Sequence, residues 1–486
     1  MRQSIRWLDL GVIAVYLAGI TWFGARFRTS QRSLKDYFLG GKTAPWWAIA
    51  LSIVSAETST LTVIGTPALS FLGNFAFLQL VMGYLLGRFV ISALFLPAYF
   101  RGELFTAYQL IRSRFGERAR RLTAATFLVL RALAEGVRVF AISIVISIIL
   151  GTGQTASIAL IVCLTLFYTF EGGMTAVIWT DVVQMILYIG GAVLSLAAIL
   201  NQISGGWSHV VSIAAPLGKF QAFDFRLAAP AEFFARSYSF WAGLVGGCFL
   251  VTASHGTEQL MVQRLLAARS ERESRKALLA SWLVIAAQFT LFLVIGVCLF
   301  TLYSDLDLPT PAVTDSIYPQ FVWGSLPIGA AGLVTAAILA AAMSNLSAAL
   351  NSLASTTVID FFRPLARRDV PEAIWLRRAR VSTVIWGAIL FGVALVARNW
   401  GSVLQAGLSI ASVIYGGLLG VFFLGVLTRR VGELSAMIGM LTGLAVMILI
   451  RFETSIAFTW YVLIGTAATM AAGFVVSLVL DHAVKA

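Results

Sequence analysis

The stretch Ile53 to Gly65, IVSAETSTLTVIG, sets one glutamate and five hydroxyls inside an apolar run that begins at Trp46 and continues past Pro67. On an ideal helix Ser55, Thr58, Ser59 and Thr62 fall at i, i+3, i+4 and i+7, a stripe within about 100° of arc. Sodium is a small hard cation that prefers oxygen ligands, and hydroxyls with carbonyls freed at a helix break supply them without a full charge. The same hydroxyls can instead bond back to their own helix or pack against a neighbour. A second stripe, in AAAMSNLSAALNS, holds Ser344, Ser347 and Asn351. Ala341 shares that face and is small enough to let a cation reach its carbonyl; Asn345, about 100° away, can still offer an amide oxygen.

Charges are scarce in these runs, so each one needs a partner. Asp181 sits several residues into VIWTDVVQMILY with Gln184 one turn on. A carboxylate near a bilayer centre costs about 2.5–3.5 kcal/mol and must face a cavity, an ion or an opposite charge. A bound cation and an interior salt bridge are both natural partners. Arg131, Glu135 and Arg138 fall on one helix face at i, i+4 and i+7, where they can neutralise one another. With Arg88 added, three arginines face Glu57, Glu135 and Asp181. That balance weakens the case that Arg138 awaits an anion, although its planar fork suits a carboxylate.

The elements that must position these residues are membrane helices. The chain has 486 residues, is 59% hydrophobic and 12% charged, and has a mean hydropathy of +0.89, outside the range of soluble domains. Continuous apolar runs of about 20 residues imply helices and not a dyad-alternating barrel. Thirteen spans are expected, roughly over 8–27, 46–71, 75–100, 122–150, 155–170, 174–200, 238–262, 277–303, 328–357, 381–396, 403–427, 434–450 and 456–480.

Alternate connections are basic, with Arg112 to Arg121, Arg264 to Lys276 and Arg363 to Arg380 prominent, while the connection after the eighth span carries Asp305, Asp307 and Asp315. The positive-inside rule makes the basic connections cytoplasmic, with the N-terminus outside and the C-terminus inside. The net charge of +13 is then a topology signal and not a nucleic-acid footprint. Arg2 and Arg6 precede the first span, but no cleavage site follows, so it is kept as a helix. Cys163, Cys248 and Cys298 fall within spans and His209, His255 and His482 are scattered; neither set suggests a disulfide framework or a metal cluster.

Aqueous segments are short, and only Asn201 to Ser237 and Ser304 to Ser325 can hold sizeable external structure. Arg101 to Arg121 reads as an amphipathic helix at the interface. The second span carries SAETSTLT and the seventh TASHGTE, Thr252 to Glu258, with Gly256 as a plausible break. Two polar-interrupted spans in matching positions are the signature of inverted repeats that bind their ligand at the breaks. Residues 46–200 would form the first five-helix repeat and 238–427 the second, with 8–27 leading and 434–480 trailing, all in one transmembrane domain over 1–486.

YTFEGGMTAVIWTDVVQ, Tyr168 to Gln184, resembles the fifth-helix signature of the sodium:solute symporter family, and TEQLMVQRLLAARS, AAAMSNLSAALNS, DYFLGGK and FTAYQLIRSRFG resemble others. The resemblance implies a leucine-transporter-type core of five plus five inverted helices and sodium-coupled import by alternating access. It implies a main sodium site at Ser55 and Thr58 through backbone carbonyls, at Ala341 likewise, and at Ser344 and Asn345 through side chains; Asn345 departs from the usual Ser or Thr. A second sodium site would take Asp181, Ser344 and Ser347, with Ala348 lacking the hydroxyl found in other members. Glu57, Ser59, Thr62 and Arg138 would line the substrate cavity, joined by Gln79, Thr252, Ser254, His255 and Gln405.

The expected activity is therefore symport of sodium with a small polar organic solute or anion across a bacterial-type inner membrane, with lipid surrounding the chain and no obligatory protein partner evident. The alternatives are a solute sensor or channel-like protein on the same fold, and a proton-coupled symporter using Glu57 or Asp181. No nucleophile and base pair or metal spacing within the spans suggests an enzyme. Helical spacing puts Glu57 about 200° from Ser55, so either it pairs with Arg88 or Arg138, or the helix breaks and turns it into the cavity.

Overall fold

A computed structural model describes residues 6–26, 39–101, 107–168, 174–362 and 372–483; the side chains of Ala341 and Ser344 fall outside the described set. Among the described residues all regular structure is helical. In chain order the helices are α1 Trp7–Ala25, α2 Trp46–Glu57, α3 Thr60–Leu72, α4 Leu78–Phe100, α5 Ala107–Phe115, α6 Glu117–Leu150, α7 Gln154–Tyr168 and α8 Met174–Gln202. The connection that follows holds α9 Gly206–Ala214 and α10 Pro230–Ala235. Then come α11 Ala242–Gly256, α12 Gln259–Leu266, α13 Glu271–Asp305, α14 Ile317–Ser325 and α15 Ala330–Thr356. The last four are α16 Glu372–Ala397, α17 Val403–Leu427, α18 Glu433–Glu453 and α19 Tyr461–Ala483. Among the described residues seven helices are long and apolar enough to cross a bilayer, eight if α2 and α3 form one bent span, and five shorter apolar helices accompany them.

Both interrupted spans are broken. α2 and α3 meet at a 64° bend, with Thr58 (ψ 95°) and Ser59 (ψ 176°) extended between them. The seventh span breaks at Thr257 and Glu258, the latter extended at φ −83°, ψ 129°. Gly256 is thus the last helical residue and not the break itself. Its lack of a side chain serves packing, because a Cβ there would meet the Phe95 ring at 3.0 Å. The carbonyl it leaves without a helical partner accepts the Tyr99 hydroxyl at 2.5 Å, which answers the accounting that every break in lipid must satisfy.

The expected amphipathic helix over 101–121 is two elements. Gly116, at φ 118°, ends α5, and residues from Glu117 onward already belong to the long α6. Residues 102–106 lie outside the described set. The first N–H groups of α6 are capped from a distant helix, since Glu433 accepts from Arg118 N at 2.7 Å and Ala119 N at 3.1 Å. The two expected external segments are helical in part, through α9 and α10 in one and α14 in the other.

The core that positions the breaks is held by close helix contacts at glycine. A Cβ on Gly83 of α4 would sit 2.4 Å from the Gly243 carbonyl of α11, and one on Gly247 would sit 2.3 Å from the Leu80 carbonyl. Small residues allow this approach and dispersion rewards it. α17, α18 and α19 use the same device where Gly416 faces Gly465 and Gly439 faces Gly473. Gly83→Leu is expected to destabilise the purified protein by about 1–3 kcal/mol or prevent its accumulation, whereas Gly190→Leu, whose Cβ meets nothing within 4 Å, leaves the melting temperature unchanged; melting of both variants in one detergent checks this.

Candidate functional site

The two breaks face each other across a cavity of about 130 Å³ whose lining includes Glu57, Ser59, Thr62, Arg138, Ser254, His255, Glu258 and Tyr415. A much larger space of about 820 Å³ lies beyond it, lined by the end of α3, by Phe140 of α6 and by Asp315, Arg398, Ser402 and Gln405. Phe77 lines both. The larger space is an open vestibule. The smaller one carries the convergent charges, and it is the candidate site.

Each break carries a glutamate, and each glutamate is held by an arginine of an unbroken helix. Arg88 Nη2 of α4 donates to Glu57 Oε2 at 2.5 Å, and His255 Nε2 lies 3.2 Å from the same oxygen while its Nδ1 lies 2.8 Å from Ser254 Oγ. At the other break Arg131 Nη1 donates to Glu258 Oε1 at 2.8 Å and the Tyr415 hydroxyl donates to Oε2 at 2.6 Å. Arg131 also meets Glu135 at 3.1 Å, and Arg138 Nη1 donates to Glu135 Oε2 at 3.0 Å. The two alternatives for Glu57 are therefore both realised: the helix breaks and the salt bridge forms. Arg131, Glu135 and Arg138 neutralise one another along one face as their spacing predicts. Among the described residues two guanidinium nitrogens of this group, Arg131 Nη2 and Arg138 Nε, are buried without a hydrogen-bond partner; Arg131 Nη2 still sits in the 3.1 Å ion pair with Glu135.

The oxygen-rich residues divide into two groups. Ser55 and Thr58 are buried beside Tyr188 of α8. Thr58 Oγ1 is 3.0 Å from Gln288 Oε1 and 2.7 Å from Gln288 Nε2, so its side chain is engaged and its backbone carbonyl is the oxygen that remains. Asn345 instead lines a crevice of about 10 Å³ with Ser59, Thr60, Glu135 and Arg138. Roughly one water-sized sphere fits such a volume. The Arg138 guanidinium is part of that lining, so the hydroxyl and carbonyl oxygens beside the first break, at Ser55 and Thr58, are the ones that suit a hard monovalent cation. Ala341 and Ser344 lie on the same helix as Asn345, with their side chains outside the described set.

Several expected site residues have partners within the protein. Asp181 takes the interior salt bridge, one of the two partners its sequence allows: its Oδ2 accepts from Ser52 Oγ at 2.6 Å and from Arg264 Nη2 at 2.9 Å, and Arg264 Nε donates to Ser52 Oγ at 3.0 Å. Ser347 is half-buried on α15 and shares no hydrogen bond with it among the described residues. Arg264, counted with the basic connection in the sequence, is 3% exposed and belongs to this buried latch between α2, α8 and α12. Gln79 is absent from the cavity lining because its amide donates to the Ala76 and Tyr238 carbonyls and accepts from Asp224 N. Thr252 bonds back to the Cys248 carbonyl, and Gln405 lines the vestibule. Glu258, Tyr415 and Gln288 were missed as site residues, although Glu258 stands inside the very motif that signals the second break.

With this geometry in hand, comparison with known proteins gives the family. The profile of the sodium:solute symporter family matches residues 37–443. The chain belongs to the sodium:solute symporter family. It is 27% identical to the sodium/sialic acid symporter of Proteus mirabilis over 96% of this chain and 94% of that one. It is 28% identical to sodium-coupled monocarboxylate transporter 1 of Xenopus laevis over 86% of this chain and 67% of that one. Among solved structures, a sodium-coupled sialic acid symporter in a substrate-bound outward-open state, with a novel sodium site, superposes with a TM-score of 0.84 at 26% identity, covering 97% of this chain and 98% of that one. This family member is a multi-pass membrane protein built for sodium:solute symport.

The latch gives a direct test. Removing one partner of a buried ion pair strands the other, which costs about 3–5 kcal/mol. Arg264→Ala is expected to lower stability by that order, and Arg264→Ala with Asp181→Ala is expected to be more stable than Arg264→Ala alone, as a double-mutant cycle on thermal melts reads out.

Proposed function

We propose that this symporter imports a small carboxylate-bearing solute together with sodium by alternating access. The observation that carries the reading is Arg138, which lines the cavity and whose Nε is buried with neither a hydrogen bond nor an ion pair among the described residues, although its Nη1 is held by Glu135. Arg88, Arg131 and Arg138 face Glu57, Glu135 and Glu258, three against three. A carboxylate entering with one sodium ion keeps that balance, whereas either ion alone leaves a buried charge uncompensated. This is a physical basis for coupling, and linkage makes it reciprocal: sodium raises solute affinity and solute raises sodium affinity by the same factor.

The cavity volume bears on solute size. About 130 Å³ is below the roughly 300–1,000 Å³ of pockets that take drug-sized ligands, which suits a short monocarboxylate better than a sialic acid. The relation to monocarboxylate transporters agrees with this; the fuller coverage of the sialic acid symporters favours the larger acid as the second reading. Sodium is assigned to the carbonyls of Ser55, Thr58 and Ala341 and to Ser344 and Asn345, on the resemblance and the oxygen-only chemistry beside the first break. Glu57, Ser59, Thr62, Arg138, Ser254 and His255 are assigned to the solute. The thirteen spans, the five plus five repeat, the arginine-rich face as cytoplasmic and the external N-terminus complete the proposal. A closed latch on that face and an open vestibule opposite support an outward-facing arrangement.

Accumulation in proteoliposomes tests this. Uptake of a labelled short monocarboxylate is expected to run uphill under an imposed sodium gradient and to stop when that gradient is collapsed; a proton gradient alone that sustains it, or equilibration without accumulation, overturns the reading. Arg138→Gln is expected to raise the solute KM at least about tenfold, the loss of a charge-assisted pair, and Ser344→Ala to raise the sodium requirement. Sialic acid transported in preference to the short acid selects the second reading.

A further inference from the structure

At the arginine-rich end of the molecule, α15 passes beyond Thr356 into a wider helical turn over Thr357–Phe362, and this turn and the start of α16 enclose a groove of about 450 Å³. Its wall is apolar and faces outward: Val381, Ile385 and Ile389 of α16 are each 40% or more exposed, as is Phe362 opposite. Trp386 forms part of the wall, and its Nε1 donates to Thr357 Oγ1 at 3.0 Å, tying the two helices together along the groove. Arg377 and Arg378 line the same groove at one end.

Depth decides what can occupy it. The apolar part of α16 begins at Val381, so the two arginines stand three and four residues before it, about 5–6 Å along the axis. That is the headgroup level of a bilayer whose hydrocarbon begins near Val381. An apolar trough at acyl depth with a guanidinium pair at headgroup depth matches a molecule that is apolar below and anionic above. Neither the latch nor the central cavity uses these residues.

We infer that this groove is a binding site for a phospholipid with an anionic headgroup, its acyl chain along Val381, Ile385 and Ile389 and its phosphate at Arg377 and Arg378. The lipid comes from the leaflet on the arginine-rich face and seats between the Thr357–Phe362 turn and α16.

Native mass spectrometry of the full chain, released from mixed micelles of phosphatidylglycerol and phosphatidylcholine, tests the site. Phosphatidylglycerol is expected to remain bound at collision energies that strip phosphatidylcholine. Arg377→Gln with Arg378→Gln is expected to weaken that retention by roughly thirtyfold, the summed effect of two basic side chains at a lipid surface, with an unchanged melting temperature in phosphatidylcholine alone. Ile385→Trp, which fills the trough and keeps the arginines, is expected to weaken retention as well and serves if the double variant does not fold. Equal retention of both lipids by the natural chain, phosphatidylglycerol retention undiminished in both variants, or displacement by excess inorganic phosphate overturns the proposal, the last because it would mark a free-anion site and not a lipid site.

Discussion

The structure depends on how charge is matched where two helices stop in the middle of a membrane. A break leaves backbone groups without helical partners, and lipid supplies none. Here both breaks also carry a glutamate, Glu57 and Glu258. Each is met by an arginine from a continuous helix, Arg88 on α4 and Arg131 on α6. The long helices can hold those arginines in place because α4 is locked to α11 by glycine contacts too close for any side chain and α6 is packed against α15, α16 and α17. Remove the matching and the breaks become buried unpaired charges; keep it, and they become a polar wall around a cavity.

Much of this was legible in the sequence, for reasons that differ from residue to residue. IVSAETSTLTVIG and TASHGTE revealed both breaks, because hydroxyls and charges are expensive in an apolar run and gather at matching places where inverted repeats interrupt their helices. The face shared by Arg131, Glu135 and Arg138 followed from helical spacing alone. Partners from other elements did not. Nothing local says that Asp181 belongs to Arg264 eighty-three positions on, or that Gln288 takes the Thr58 hydroxyl, because those meetings are made by the tertiary fold. Arg264 reads as part of a basic connection for a physical reason: it lies at the end of a short half-helix, so hydropathy merges it with the charged residues that follow, whereas the break lets the chain carry it into the core.

Gln79 illustrates a different limit. A buried amide in a membrane helix looks like a ligand contact from sequence, and its demand for three or four hydrogen bonds is real. Three of them go to the chain itself, two to carbonyls at Ala76 and Tyr238 and one from Asp224 N. The residue thus ties the connection ahead of α11 to the start of α4. Polarity in such a place marks a requirement for partners, and only the fold says whether those partners are protein, ion or solute.

The buried pairs also define what can move. Glu57, Arg88 and His255 join the end of α2 to α4 and α11, and the glycine seam between α4 and α11 makes that set one body. Glu135, Arg131 and Arg138 sit on α6 and form another. Among the described residues, two charged contacts cross from the first of these bodies and the half-helix α12 to their surroundings: Glu258 to Arg131 at the cavity, and the Ser52, Asp181 and Arg264 latch. In the alternating access proposed above, opening the arginine-rich side would separate the latch, and any relative shift of the two bodies would strain the Glu258 contact. Both are charged groups in low dielectric, so neither separates without a replacement or water. The proposed carboxylate solute, once at Arg138, would also change the partners available to Glu135, which Arg138 shares with Arg131, and so would reach Glu258 through one continuous chain of ion pairs. The cavity and the moving contact are therefore electrostatically the same object, and that is the property a coupled carrier needs.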